Sequence, residues 1–205
     1  IGESAITEEQ YQLKTITPMF MHGWQKPTKV RNKAGKLVTR NNPISAEARE
    51  ASFKGVLRYW WRAFQNPSMK IEDLFQKEIN LFGGSGSKKE SLQSRIRLTF
   101  EEMVYSEHKE EMFPHNPRHK VYAIPKGKVI NLRLSVLKKD RDLFEYYKDL
   151  LDLMFHISGF GQRGRRGFGS LEVKHLSWND MQEFLESVKT LLEKITDYQE
   201  IKVVQ

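Results

Sequence analysis

The sequence has no cysteine among its 205 residues. Disulfides and thiolate metal sites are therefore excluded, and the absence fits a reducing, cytoplasmic setting. No apolar run approaches the roughly 20 residues that a membrane-spanning helix requires. Residues 1–10 carry no basic-then-apolar pattern of a secretory leader. Internal repeats are missing as well, and no Ser/His/Asp order or nucleophile elbow stands out. What remains is ordinary globular material, 39% hydrophobic and 29% charged. That is enough chain to bury a core in one domain spanning residues 1–205.

Acidic residues are scarce in one place. The formal net charge is +8, and between His22 and Arg62 ten basic residues stand against Glu47 and Glu50, an excess equal to that of the whole chain. A basic region this concentrated is the electrostatic footprint of a polyanion. Nucleic acid fits better than anionic lipid, because no amphipathic anchor accompanies the charge. The bland alternative is a solvated basic surface.

Residues 11–17 have strand composition and stop at Pro18. Val30 and Leu37-Val38 flank Asn32-Lys33-Ala34-Gly35, a basic β-hairpin that carries Lys33 and Lys36. Ser45 reads as the N-cap of a helix ending at Asn66-Pro67. Along it Phe53, Val56, Leu57, Trp60, Trp61 and Phe64 recur at the spacing of one buried face, while Lys54, Arg58 and Arg62 form a separate basic stripe beside Arg49. A short helix follows around residues 69–79. Residues 95–100 and 130–136 alternate as half-buried strands, and 101–128 between them read as an insertion. Asp140 is expected to cap a helix with Leu143, Tyr147, Leu150, Leu151 and Met154 on its apolar face. Leu171 and Val173 mark a short strand, and Ser177 with Asp180 resembles a capping box opening a last helix that buries Met181 through Ile195. Residues 200–205 have the composition to begin another strand. The order is β–α–β–β–α–β with an added C-terminal helix. That is the split βαβ order of a ferredoxin-like (RRM-like) α+β fold, with both helices on one face of a four-stranded antiparallel sheet.

The strongest chemical signal is Ser158-Gly-Phe-Gly-Gln-Arg-Gly-Arg-Arg-Gly-Phe-Gly169. Gly159, Gly161, Gly164, Gly167 and Gly169 alternate with Arg163, Arg165 and Arg166, without an acid. Glycines let backbone N–H groups approach and surround an anionic oxygen, and arginines supply forked donors matched to phosphate. The combination suits a sugar-phosphate backbone better than base edges. It follows a helix and precedes a strand, so it is neither a P-loop nor a dinucleotide fingerprint. The alternative is a flexible basic loop, against which stand Phe160 and Phe168. The Lys54-Arg58-Arg62 stripe with Arg49 is a second RNA or subunit contact, because no compensating acid follows Glu50 on that face; otherwise it is a solvated helix face. Gly55 inside the helix costs about 1 kcal/mol relative to alanine, which suggests that something passes close to it. Trp60 and Trp61 fall in the apolar register and are expected in the core. His22, in a Gly/Trp loop, is a candidate to contact phosphate or serve as a general base, the bland alternative being a polar loop histidine. His115 and His119 straddle Pro117 without a third ligand, so no metal and no cofactor is expected.

Four passages together resemble the RAMP superfamily of CRISPR-associated proteins: Thr15-Ile-Thr-Pro-Met-Phe20, Ala51-Ser-Phe-Lys-Gly-Val-Leu-Arg-Tyr-Trp-Trp-Arg-Ala63, Leu81-Phe-Gly-Gly84, and Arg165-Arg-Gly-Phe-Gly-Ser-Leu171. Within that superfamily the likeness is to subunit one of the type III-B Cmr complex. The resemblance implies a ferredoxin-like fold and a non-catalytic place in an RNA-guided antiviral effector complex. There the chain would contact guide and target RNA beside other RAMP subunits. Members of this subunit family often carry a second RAMP-like domain, so the chain is also readable as the N-terminal domain of a longer protein. Two other readings stay open. One is a metal-independent endoribonuclease that processes CRISPR repeat RNA with His22 as its base. The other is a scaffold that touches only protein.

Overall fold

The computed structural model of the chain describes residues 5–23, 27–41, 45–85, 91–113 and 118–196. Its central sheet has four strands, β1 (Ile6–Thr15), β2 (Ile96–Phe100), β3 (Val129–Leu137) and β4 (Leu171–Val173). They lie in the order β4-β1-β3-β2, and every neighbouring pair is antiparallel. Helices α1 (Glu50–Ala63) and α2 (Ile71–Phe82) lie between β1 and β2 in the chain, α3 (Phe144–Ile157) lies between β3 and β4, and α4 (Met181–Ile195) follows.

Alternation fixes the two faces of the sheet. Tyr11, Leu13, Leu98, Phe100, Leu132, Leu134, Leu171 and Val173 are buried, while Gln10, Gln12, Lys14, Arg97, Asn131 and Glu172 are exposed. Tyr11 stands opposite Leu132, Leu132 opposite Phe100, and Leu13 opposite both Ile130 and Val173. A slip of one residue would turn this whole set toward water. Onto the buried face α1 brings Phe53, Leu57 and Trp61, and α3 brings Tyr147, Leu150, Leu151 and Met154. Each such side chain contributes about 1.5–3 kcal/mol when fully buried. Two polar groups of the helices are matched inside: Trp61 Nε1 donates to Tyr146 Oη at 2.8 Å, and the Tyr147 hydroxyl donates to the Leu81 carbonyl at 2.7 Å.

Three boundaries differ from the local sequence signals. Helix α1 starts at Glu50 rather than after Ser45, because residues 46–48 are claimed by tertiary pairing. Ala46–Glu47 pair with Tyr105–Ser106, and the N–H groups of Glu47 and Ala48 donate to Met21 and Val104 carbonyls, each at 2.8 Å. Asp140 does not cap α3. It is buried within the 3₁₀ segment Lys138–Leu143, 3.6 Å from Arg95. The cap of α4 is Asp180, which accepts the Glu183 N–H at 2.9 Å while Glu183 accepts the Asn179 N–H at 2.8 Å. This reciprocal pair lies three residues beyond the Ser177–Asp180 box. Of the stripe expected on α4 (Met181, Phe184, Leu185, Val188, Leu192 and Ile195), Ile195 is buried and Met181 is 69% exposed; Leu191, outside that stripe, is buried as well. The hairpin forms as expected, Pro27–Arg31 against Leu37–Asn41, with Asn32 Oδ1 accepting the N–H groups of Ala34 and Lys36. The strand expected at 200–205 and His115 lie outside the described residues.

Candidate nucleic-acid interface

The glycine/arginine loop runs from the end of α3 to the start of β4 and is tied to the rest of the fold. Phe160 is fully buried and stacks on Phe53 with centroids 4.2 Å apart, and Phe168 meets Phe20 edge-on at 5.0 Å. The loop's backbone is stitched to the segment after β1. Gln162 N–H donates to the Phe20 carbonyl at 2.7 Å, and Gly169 N–H donates to the Pro18 carbonyl at 2.9 Å. Thr17 Oγ1 donates to the Gly167 carbonyl at 2.8 Å and accepts the Ser170 N–H at 3.0 Å. Gly169 holds φ +67°, and a Cβ there would collide with the Phe160 carbonyl oxygen. The two phenylalanines therefore act as anchors, as their cost in a linker suggests.

Anchoring the ends presents the middle. Arg163 has left-handed backbone angles (φ 61°, ψ 22°), and Gly164–Arg166 continue as a 3₁₀ turn. Alternating left- and right-handed residues aim successive N–H groups at one point, a nest for an anionic oxygen. The N–H groups of Arg163, Gly164 and Arg165 meet no acceptor among the described residues. The strained Arg163 is held by its own side chain. Its guanidinium donates to the Met112 carbonyl at 3.2 Å and lies 4.1 Å over the Phe113 ring. The Arg163 guanidinium is thus engaged by the chain's own groups. Arg165 is loosely placed, 5.8 Å over the Tyr59 ring and 3.5 Å from its hydroxyl. Arg166 is exposed and its side chain has no partner among the described residues. None of the three is paired with a carboxylate among the described residues.

These groups line a groove of about 770 Å³. Its walls are the loop from Gly159 to Arg166, the Phe20–His22 segment, and one side of α1 bearing Ser52, Gly55, Val56, Tyr59 and Trp60. Around α1 the groove side and the core side are distinct. Phe53, Leu57 and Trp61 face the core; Trp60 is half-buried and spans the two, with Nε1 donating to Ser158 Oγ at 3.0 Å. At Gly55 nothing lies within 4 Å of where a Cβ would stand, so the chain's own packing does not require glycine there.

The basic stripe of α1 belongs elsewhere, which corrects the expectation that it lacks acids. Glu78, buried on α2, accepts from Arg58 Nε at 2.6 Å and from Arg62 Nη1 at 2.9 Å. Lys54 Nζ donates to Ser94 Oγ at 3.0 Å, and burial, with the nearby Arg58 second, pulls its pKa down from the ordinary lysine value. Arg49 is exposed at the N-cap of α1 and does not line the groove. Lys33 and Lys36 are exposed at the hairpin turn, and the structure does not bring them to the groove wall. His22 does line it, with Nε2 donating to the Tyr122 carbonyl at 2.9 Å. Sequence reasoning missed Tyr59 and Gln162. The only signal for Tyr59 was its place four residues after Gly55, outside the apolar stripe. Among the described residues no group of three or more His, Asp or Glu side chains could hold a metal ion, and no helix is long and apolar enough to cross a membrane.

An antiparallel sheet backed by helices, with a glycine/arginine loop bridging its first and last strands, defines the class. The chain belongs to the RAMP superfamily, whose family model matches residues 12–172. Its similarity to particular proteins is more distant. The CRISPR system Cmr subunit Cmr1-2 of Pyrococcus furiosus is 26% identical over 202 residues, covering 82% of this chain and 96% of that protein. The apo crystal structure of Cmr1 from Pyrococcus furiosus superposes with a TM-score of 0.55 at 16% identity, over 91% of this chain and 59% of that one. That likeness establishes the fold alone, and the chain spans less than two thirds of the Cmr1 it matches.

Proposed function

We propose that this protein is a non-catalytic, RNA-binding structural subunit of a type III-B CRISPR effector complex, contacting the guide and target RNA backbone beside other RAMP subunits. The strand order β4-β1-β3-β2 with two helix-bearing crossovers supports reading the core as a ferredoxin-like βαββαβ unit. Similarity to Cmr1-2 supports the assignment to a Cmr-type complex. The observation that carries RNA binding is the groove wall at Arg163–Arg166, where three unaccepted N–H groups adjoin two arginines without carboxylate partners. Such donors recognise phosphate and carry no base information, so binding is independent of sequence. In a filter-binding assay, unrelated single-stranded RNAs should bind with affinities within a few-fold of one another. Arg165→Ala with Arg166→Ala should weaken them all alike. Wild-type affinity in that double variant would remove the groove from the account.

One observation favours a second reading, since His22 lines the groove with Nδ1 outside any hydrogen bond among the described residues. A metal-independent endoribonuclease would use that nitrogen as general base. Cleavage of CRISPR repeat RNA in EDTA, abolished by His22→Ala, would establish it; intact RNA supports the structural role.

A further inference from the structure

We infer that a second cavity, reached across the loop from the groove, receives one unstacked base of the RNA strand; this rests on the groove reading above. The cavity measures about 440 Å³ and shares Ser158, Gly159, Gly164 and Arg165 with the groove. Beyond that shared wall it is lined by Ile16, Phe155, Leu171, Leu176 and Trp178. Its volume lies within the roughly 300–1,000 Å³ typical of small-ligand pockets.

Four of the polar side chains around it are already committed to the protein. His156 Nδ1 donates to the Asp152 carbonyl at 2.7 Å, and its Nε2 pairs with Ser187 Oγ at 3.0 Å. Ser158 Oγ accepts from Trp60 and donates to the Gly159 carbonyl at 3.2 Å. Ser170 Oγ donates to the Gly167 carbonyl at 3.4 Å, and Glu172 pairs with Lys14 at 3.4 Å. What these four leave is flat apolar contact, with donors remaining at the shared wall and the Trp178 indole N–H. Trp178 supplies the platform. It is half-buried, held edge-on by Phe184 at 5.1 Å and flanked by the His156 ring at 4.5 Å. A nucleobase is the ligand whose faces match this chemistry and whose phosphate the adjoining nest would hold. Any base fits, because each has a π-face. An apolar side chain of a protein partner would match the lining too, but it gains nothing from Arg165 and the open N–H groups on the shared wall.

The test uses the whole chain and uridine oligomers carrying 5-iodouridine. After irradiation, mass spectrometry should place the crosslink on Trp178. In parallel, the wild-type protein should bind oligouridine about tenfold more tightly than an abasic ribose-phosphate oligomer of equal length, as expected for one stacked base. Trp178→Ala should erase that difference while leaving abasic binding and its salt dependence unchanged. Trp178→Phe, which keeps a ring, should retain part of it should the alanine variant melt early. No crosslink at Trp178, together with equal binding of the two oligomers, would overturn the base pocket. The two readings fail separately. Loss of RNA binding in Arg165→Ala/Arg166→Ala with a silent Trp178 removes the pocket alone, whereas no loss in that variant removes the groove and the pocket with it.

Discussion

Arg58 and Arg62 on α1 and Arg165 and Arg166 on the loop are the same side chains in opposite circumstances. The helix pair converges on Glu78, whose side chain is only 4% exposed. There each guanidinium pairs with a carboxylate that would otherwise be a buried charge without a partner. The loop pair has no such partner among the described residues and stands at a groove wall. Equal formal charge thus means different things. The first cluster joins two helices, and the second is left without a carboxylate among the described residues. A count of basic residues assigns both to RNA; the position of one acid, twenty residues along the chain from Arg58, separates them.

Several substitutions would break or sharpen this contrast. The largest effect should come from Arg58→Ala with Arg62→Ala, which strands Glu78. A loss of about 3–5 kcal/mol in denaturant unfolding is expected, with RNA binding by the folded fraction unchanged; ordinary stability would show that the helix pair is not structural. Gly169→Ala should cost about 1–3 kcal/mol by forcing a left-handed backbone on a side chain, and more where the Cβ meets the Phe160 carbonyl. Because it displaces the loop, it should weaken RNA binding beyond its effect on melting. Gly55 separates stability from function by sign. Gly55→Ala should stabilise α1 by up to about 1 kcal/mol, since open space surrounds the new methyl. Gly55→Leu should fold normally yet weaken RNA binding by obstructing the groove, and unchanged affinity would mean nothing passes there. The smallest effect concerns pH. Burial lowers the pKa of His156 from its ordinary 6.5, with the bond to the Asp152 carbonyl opposing. The folded state then binds fewer protons than the unfolded one. The contribution of His156 is intact above pH of about 6.5 and declines as pH falls through the lowered folded value. Melting should soften accordingly on acidification, and His156→Phe should flatten that dependence.

Much of the fold was legible because it is written in periodicity. The alternation at 96–100 and 130–136, the core stripe of α1 and the anchoring role of Phe160 and Phe168 all depend on spacing and side-chain type alone. What was not legible depends on partners distant in sequence. Ser45 has the chemistry of a cap, but carbonyls of Met21 and Val104 draw residues 47 and 48 into extended pairing. Asp140 has the place of a cap, but Arg95 claims it. The loop's glycines and arginines announced phosphate, yet only the left-handed turn at Arg163 and its anchor on Met112 and Phe113 show which arginine is spent on shape. Tyr59 lies outside the apolar stripe of α1, and only the folded chain brings it beside Arg165.

Salt dependence reaches the central claim most directly. Plotting log affinity for a single-stranded RNA against log salt gives a slope of about 0.7 for each phosphate neutralised. Comparing wild type with Arg165→Ala/Arg166→Ala, the slope should become shallower by about 1.4 if each arginine grips one phosphate. Identical slopes in the two proteins would mean that these guanidinium groups never touch the backbone.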